Sequence, residues 1–171
     1  RGDCAQICRS FFRGEDADGH LFSCRDLSLG RAVLELAGAG VDALKIEGRM
    51  KSPEYVFNTV KLYREILDRG EDLPVEEEEK LARNAALGFA RGQTTGWLRS
   101  ASGTRLIDPA WPGHRGAVLG TVQSLRPGSM TVLLQADLSL RDGVGFFPEP
   151  GPGVPAEPLQ FAVQRIRRKG R

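Results

Sequence analysis

Apolar residues recur at helical spacing in the first half of the chain and at every second position in the last third, and that change of period divides the molecule. Val56, Val60, Tyr63, Ile66 and Leu67 fall on one face of a helix that starts at Ser52 and stops near Gly70. Ser52 is a good N-cap and Pro53 a good first helical residue. A shorter helix is expected over 29–37 from Leu29, Val33, Leu34 and Leu36, ended by Gly38 and Gly40. Val41 to Ile46 reads as a short buried strand between these helices. Glu47 to Lys51 is then the loop leaving the strand's C-terminal end, where α/β proteins bind ligands.

Pro74 starts a third helix. Its acidic first turn, Glu76 to Glu79, complements the helix dipole, and Leu81, Ala85 and Leu87 supply its apolar side. Upstream, Arg9 to Phe12 and His20 to Ser23 flank the polar turn 14–19 and predict a β-hairpin. Asp16, Asp18 and Gly19 imitate part of a calcium loop, but further oxygen ligands and the terminal glutamate are missing. Residues 88–113 are rich in Gly, Thr, Ser, Arg and Pro and read as a connecting segment carrying Trp97 and Trp111. From 114 to 171 the period is two: Val118–Val122, Met130–Leu134, Val144–Phe147 and Phe161–Ile166 predict a small antiparallel β-domain. Its turns are 126–129 and 141–143, and 148–158 is a proline-rich excursion. The helix, strand, loop, helix order of 29–70 is the repeat of a (β/α) barrel or a doubly wound sheet.

With 171 residues, 40% of them hydrophobic, the chain can build one medium or two small cores. No window approaches the ~20 apolar residues of a membrane helix, and no signal peptide opens the chain. Arg1 begins directly in a cysteine-bearing motif and the terminal basic run closes no element, so both ends are expected to be cut. Net charge is only +2, from 24 basic and 22 acidic side chains, which gives no global field for nucleic acid. Locally, five of the last seven residues are Lys or Arg, and Arg99, Arg105 and Arg115 precede them. These form either a phosphate-facing surface or a solubilising edge. Three cysteines without a secretory signal point to thiols or metal ligands rather than disulfides.

Four segments carry the candidate chemistry: Gly2-Asp3-Cys4-Ala5-Gln6-Ile7-Cys8-Arg9, Ser23-Cys24-Arg25-Asp26-Leu27, Ala39-Gly40-Val41-Asp42, and Lys45-Ile46-Glu47-Gly48-Arg49-Met50-Lys51-Ser52-Pro53-Glu54-Tyr55. Their order resembles the signature of peptidase family U32, whose members are commonly labelled collagenase-like proteases. Phe89 to Leu98 resembles that family's segment after the barrel, and Pro112 to Gly116 the opening of its small β-domain.

The resemblance implies an α/β fold in which 1–87 form the C-terminal part of a TIM-like (β/α) barrel. Residues 88–113 connect it to a small antiparallel β-barrel-like domain at 114–171, and the missing N-terminal part of the same protein would be its partner. Some members hydroxylate a base of tRNA or rRNA, or a quinone ring, without oxygen. In those a four-iron four-sulfur cluster is held by cysteines, including a pair at the spacing of Cys4 and Cys8 and others from upstream sequence. The resemblance therefore implies cofactor binding by Cys4 and Cys8. Cys24 is either a further metal ligand or an ordinary buried thiol. Glu47 and Arg49 are the candidate catalytic residues, with Lys45, Arg49 and Lys51 binding substrate. From local sequence alone, Glu47 and Arg49 are equally a structural ion pair.

Three functions follow as expectations: iron-sulfur-dependent hydroxylation of an RNA base in the cytoplasm, a genuine peptidase, and a non-catalytic RNA-binding or assembly module. The peptidase expectation needs a base beside a thiol. His20 and His114 are the imidazoles available, each reads as structural, and H-E-x-x-H is absent.

Overall fold

The structure, a computed structural model, describes residues 4–48, 50–98, 105–147 and 158–167. Arg49, Arg99 and the basic run 168–171 lie outside the described residues, as does most of the proline-rich excursion. The chain forms two units, Arg1–Ala117 and Val118–Arg171.

In the first unit a 3-10 turn, Ile7–Arg9, leads into a hairpin of β1 (Phe12–Arg13) and β2 (Asp18–Gly19), paired Phe12 to Gly19 and Arg13 to Asp18. The hairpin is present where the polar turn predicts it, but its strands are shorter, because Asp18 Oδ1 accepts from the Gly14 amide at 3.2 Å and tightens the turn. β3 (Asp26–Leu27) pairs in parallel with β4 (Gln93–Thr94), a strand lying inside what the sequence reads as a connecting segment.

Helix α1 (Ala32–Gly38) starts three residues later than the pattern predicts. Gly30 sits at φ 52, a left-handed conformation that stops the helix from running back to Leu29. The Leu29 amide donates instead to the Tyr63 hydroxyl at 3.2 Å. Helix α2 (Pro53–Arg69) matches its signals: Ser52 Oγ accepts from the Tyr55 amide at 3.2 Å, and Gly70 ends it at φ 53. Helix α3 (Val75–Gly88) follows, with Glu76, Glu77 and Glu78 in its first turn.

Val33, Leu62, Ile66, Leu73, Leu81 and Ala85 form the core between the three helices. Ile66 and Leu73 are 0% and 1% exposed, and burying each contributes about 1.5–3 kcal/mol. Arg31 locks the same region: its Nε donates to Glu78 Oε2 at 2.5 Å and its Nη1 to the Gly70 carbonyl at 3.1 Å, while Nη2 bonds the Leu73 carbonyl. One guanidinium thus ties α1 to the end of α2 and the start of α3.

Residues 41–46 do not form the expected buried strand. Val41 and Leu44 are exposed, and among the described residues no strand lies alongside to complete a ladder, so the pattern of apolar positions has no sheet to pair into. The described residues show no closed barrel in either unit.

In the second unit β5 (Gly120–Arg126) and β6 (Ser129–Leu134) form one hairpin, with a bulge between Val122 and Ser124 and Gly128 at φ 73 in the turn. β7 (Gly143–Phe146) and β8 (Leu159–Ala162) form another. The period-two reading locates all four strands. Among the described residues they make two two-stranded sheets, β5 with β6 and β7 with β8, rather than one barrel.

Candidate functional site

Residues 23–28 organise the site by pairing on both edges. On one edge Arg25 donates to the Leu106 carbonyl at 2.8 Å and the Ser23 carbonyl accepts from Asp108 at 2.8 Å. On the other, Asp26 donates to the Gly92 carbonyl at 2.8 Å and Ser28 to that of Thr94 at 2.9 Å. The strand alternation turns Ser23 inward, 1% exposed, and Cys24 outward. Cys24 is therefore not the buried thiol the sequence allows. Its sulfur faces the Phe22 carbonyl at 3.8 Å.

This pairing carries the chain leaving α3 past Asp26. The Asp26 carboxylate accepts from the Arg91 amide at 2.9 Å and from Arg91 Nε at 2.8 Å, and Arg91 Nη2 bonds the same Oδ1. Next to it, the buried Asp108 accepts from Arg115 Nε and Nη2 at 3.1 and 2.8 Å. Gly92 lies close under this cluster: a Cβ there would stand 2.8 Å from Arg25 Nη1 and 3.1 Å from Asp108 Oδ2, so both side-chain ends would have to shift.

Phe89 is the centre of an aromatic and cationic cluster. The Lys51 ammonium sits over its ring, Tyr55 meets it edge-on at 6.2 Å, and His114 stacks at 5.3 Å with 13° between the planes. Lys51 reaches it from a tight turn, where Met50 adopts φ 65 and the Lys51 amide donates to the Gly48 carbonyl at 3.0 Å. Burial lowers the Lys51 pKa from its ordinary 10.5; Asp26 opposes that shift and Arg9 adds to it. Burial likewise pushes the Asp26 carboxyl up, against the pull of Lys51, Arg9 and His114.

A cavity of about 530 Å³ opens on this cluster, lined by Cys8, Arg9, Lys51, Phe89, Arg91 and Trp111 among others. A second, about 1240 Å³, extends between the 41–47 segment and α2, and shares Lys51, Phe89 and Arg91 with the first. The structure thus brings together two of the sequence-predicted residues, Cys8 and Lys51. Lys45 and Glu47 line the second cavity, where they form an exposed ion pair at 3.0 Å. Arg49 lies outside the described residues, so its pairing with Glu47 has no geometry here.

Asp26, Phe89 and Arg91 are members of the site that sequence reasoning passed over, although they stand in segments singled out for their motifs. Asp26 and Arg91 are 65 positions apart, so no local spacing links them.

Cys4 precedes the 3-10 turn and Cys8 stands within it, both as exposed thiols. Gln6, at φ 50, points its backbone amide at Cys4 Sγ, 3.4 Å away. Among the described residues no third His, Cys, Asp or Glu joins them in a metal-holding group. Two thiols are half the number of donors that a four-thiolate site requires. Neither histidine is placed as a base for them: His20 Nδ1 lies 2.9 Å from the Arg9 carbonyl, and His114 Nδ1 lies 2.9 Å from the Ala90 amide.

The Cys4–Cys8 turn, the Asp26 strand and the Lys51 turn all fall within residues 1–108, which match the model of peptidase family U32. The chain belongs to that family. It is 35% identical over 77 residues to a collagenase of Porphyromonas gingivalis, covering 40% of this chain and 19% of that protein. Over 81 residues it is 36% identical to the tRNA hydroxylation protein P1 of Bacillus subtilis, covering 40% and 19%. Over 90 residues it is 39% identical to a 23S rRNA 5-hydroxycytidine synthase of Escherichia coli, covering 48% and 13%. The matches span 13–19% of these relatives' length. No solved structure matches the chain.

Proposed function

We propose that this chain is part of an RNA-modifying member of peptidase family U32 that hydroxylates a base of tRNA or rRNA. The observation that carries this reading is the cavity in which the Cys8 thiol shares a wall with three cations, Arg9, Lys51 and Arg91, and two aromatic rings, Phe89 and Trp111. Cations hold a phosphodiester and aromatic faces stack an unpaired base. Two of the relatives are named for hydroxylation of tRNA and synthesis of a hydroxylated rRNA base.

Cys4 and Cys8 would hold a four-iron four-sulfur cluster together with two donors from elsewhere in the polypeptide, and the cluster supplies electrons when bound. Arg9, Lys51 and Arg91 bind the RNA backbone. Glu47, held by Lys45, and Arg49 position a substrate hydroxyl or carboxylate at the neighbouring loop. The parallel pairing of β3 with β4 across the three intervening helices α1, α2 and α3 supports a (β/α) barrel for the whole protein. No helix among the described residues is long and apolar enough to cross a membrane, and tRNA or rRNA as substrate assigns the protein to the cytoplasm.

The peptidase reading takes its support from the collagenase relative, but among the described residues no thiol is hydrogen-bonded to an imidazole. The test is anaerobic isolation of the full-length protein with iron and sulfide quantification, and nucleoside mass spectrometry of tRNA and rRNA from a deletion strain. We expect roughly four irons per chain and one hydroxylated nucleoside lost in the deletion. An iron-free protein that cleaves gelatin, with every nucleoside intact, would sink the proposal.

A further inference from the structure

We propose that Asp26 is the positioning residue of the cation-lined cavity: it fixes Arg91 and, through the 89–91 backbone, Phe89 and Lys51, so that an anionic group next to a planar ring is gripped in one orientation. The choice of RNA as the natural ligand rests on the reading above; the positioning itself does not.

Asp26 does not line the 530 Å³ cavity. It stands behind Arg91 and takes three of its N–H groups, one from the backbone and two from the guanidinium. A guanidinium whose Nε and Nη2 both bond one carboxylate oxygen has its plane set, and its remaining N–H groups point in fixed directions. The carboxylate's bond from the Arg91 amide at 2.9 Å holds the backbone of residues 89–91, and so sets where the Phe89 ring lies. Lys51 has no carboxylate partner among the described residues; its ammonium rests on that ring, at 2.9 Å from the centroid. Both cations thus take their geometry from one acid.

Simple electrostatics predicts that deleting a carboxylate beside Arg9, Lys51 and Arg91 tightens anion binding. Positioning predicts the reverse, because in Asp26→Asn the amide NH2 must face a donor, either the Arg91 backbone N–H or its guanidinium, and the charge assistance of the remaining bonds is lost. The sign of the effect therefore separates the two.

The experiment uses the full chain carrying Trp97→Phe, so that Trp111 fluorescence reports on the cavity. Inorganic pyrophosphate and a short labelled single-stranded RNA are titrated in turn. We expect Asp26→Asn to weaken both by about tenfold, the loss of a charge-assisted hydrogen-bond pair. Asp26→Glu should recover most of the affinity, and the salt slope should not change, since the number of cations is the same. Asp26→Asn binding pyrophosphate as tightly as the parent, or more tightly, overturns the inference, as does a parent that binds no pyrophosphate. A parent that binds pyrophosphate but not RNA defeats the RNA reading and leaves Asp26's role standing on the pyrophosphate arm. Should Asp26→Asn not fold, Arg91→Lys keeps the charge and loses the paired Nε and Nη2 bonds to Asp26; undiminished pyrophosphate binding by that variant would also overturn the inference.

Discussion

The ammonium of Lys51 lies 2.9 Å from the centre of the Phe89 ring. A residue from the turn before α2 is thereby seated on one from the chain leaving α3, and the contact closes the cavity wall between two distant segments. Desolvated contacts of this kind are worth about 1–2 kcal/mol.

That seat gives Lys51 a measurable pH signature. Burial lowers its pKa from 10.5, so between the folded and unfolded pKa values the unfolded chain binds more protons. Stability from this group therefore rises with pH through that window and levels off above 10.5. Urea midpoints of the parent and Lys51→Met, compared from about pH 8 to about pH 11, should show the parent gaining on the variant. A constant gap would mean that the ammonium is as well solvated folded as unfolded.

Gly88 closes α3 against α2. A Cβ at this position would stand 2.9 Å from Tyr55 Cα and 3.2 Å from its amide nitrogen, and backbone cannot swing aside. Gly88→Ala is expected to destabilise by about 1–3 kcal/mol. At Gly38, where nothing lies within 4 Å, the same change should stabilise by roughly 0.5 kcal/mol through helix propensity. Thermal melts of the pair check the contrast, and equal effects would contradict the packing described here.

Arg31 ties three elements with one planar group. Arg31→Lys keeps the charge but cannot reach Glu78 and the Gly70 and Leu73 carbonyls together, so we expect about 1–2 kcal/mol lost, nearly as much as in Arg31→Ala. Denaturant unfolding decides the matter: full rescue by lysine would show that charge alone accounts for the contact.

Cys24 and Cys8 should behave differently toward iron. Cys8 lines the cavity, whereas Cys24 faces outward beside the Phe22 carbonyl. In full-length protein isolated without oxygen, Cys8→Ala should lose most of its iron and Cys24→Ala should retain it. Equal loss in both would make Cys24 a ligand.

Much of the fold was legible because it is local. Ser52, Pro53 and Gly70 mark α2 by capping chemistry that works within a few residues, and in the same way the turn at 126–129 marks the β5–β6 hairpin and the turn at 141–143 the start of β7. β4 was illegible because Gln93 and Thr94 carry no apolar pattern; they are a strand only because Asp26 and Leu27 pair with them. The strand expected at 41–46 failed for the opposite reason, a strand-like pattern with no neighbour. In the site, Cys8 and Lys51 were readable from motifs. Asp26, Phe89 and Arg91 were not, since their meaning is the contact between them, and contact across the fold leaves no trace in spacing.

The unladdered stretch at 41–46 has a consequence for the molecule in solution. Val41 and Leu44 show 43% and 42% of their surface to water, and the backbone beside them retains hydrogen-bonding capacity that a foreign β-segment can saturate. Such an edge is a template for self-association, guarded here by the exposed Lys45–Glu47 pair, which places charge where an incoming chain would have to dock. Neutralising those two side chains would remove the guard, and loss of solubility would precede any loss of fold.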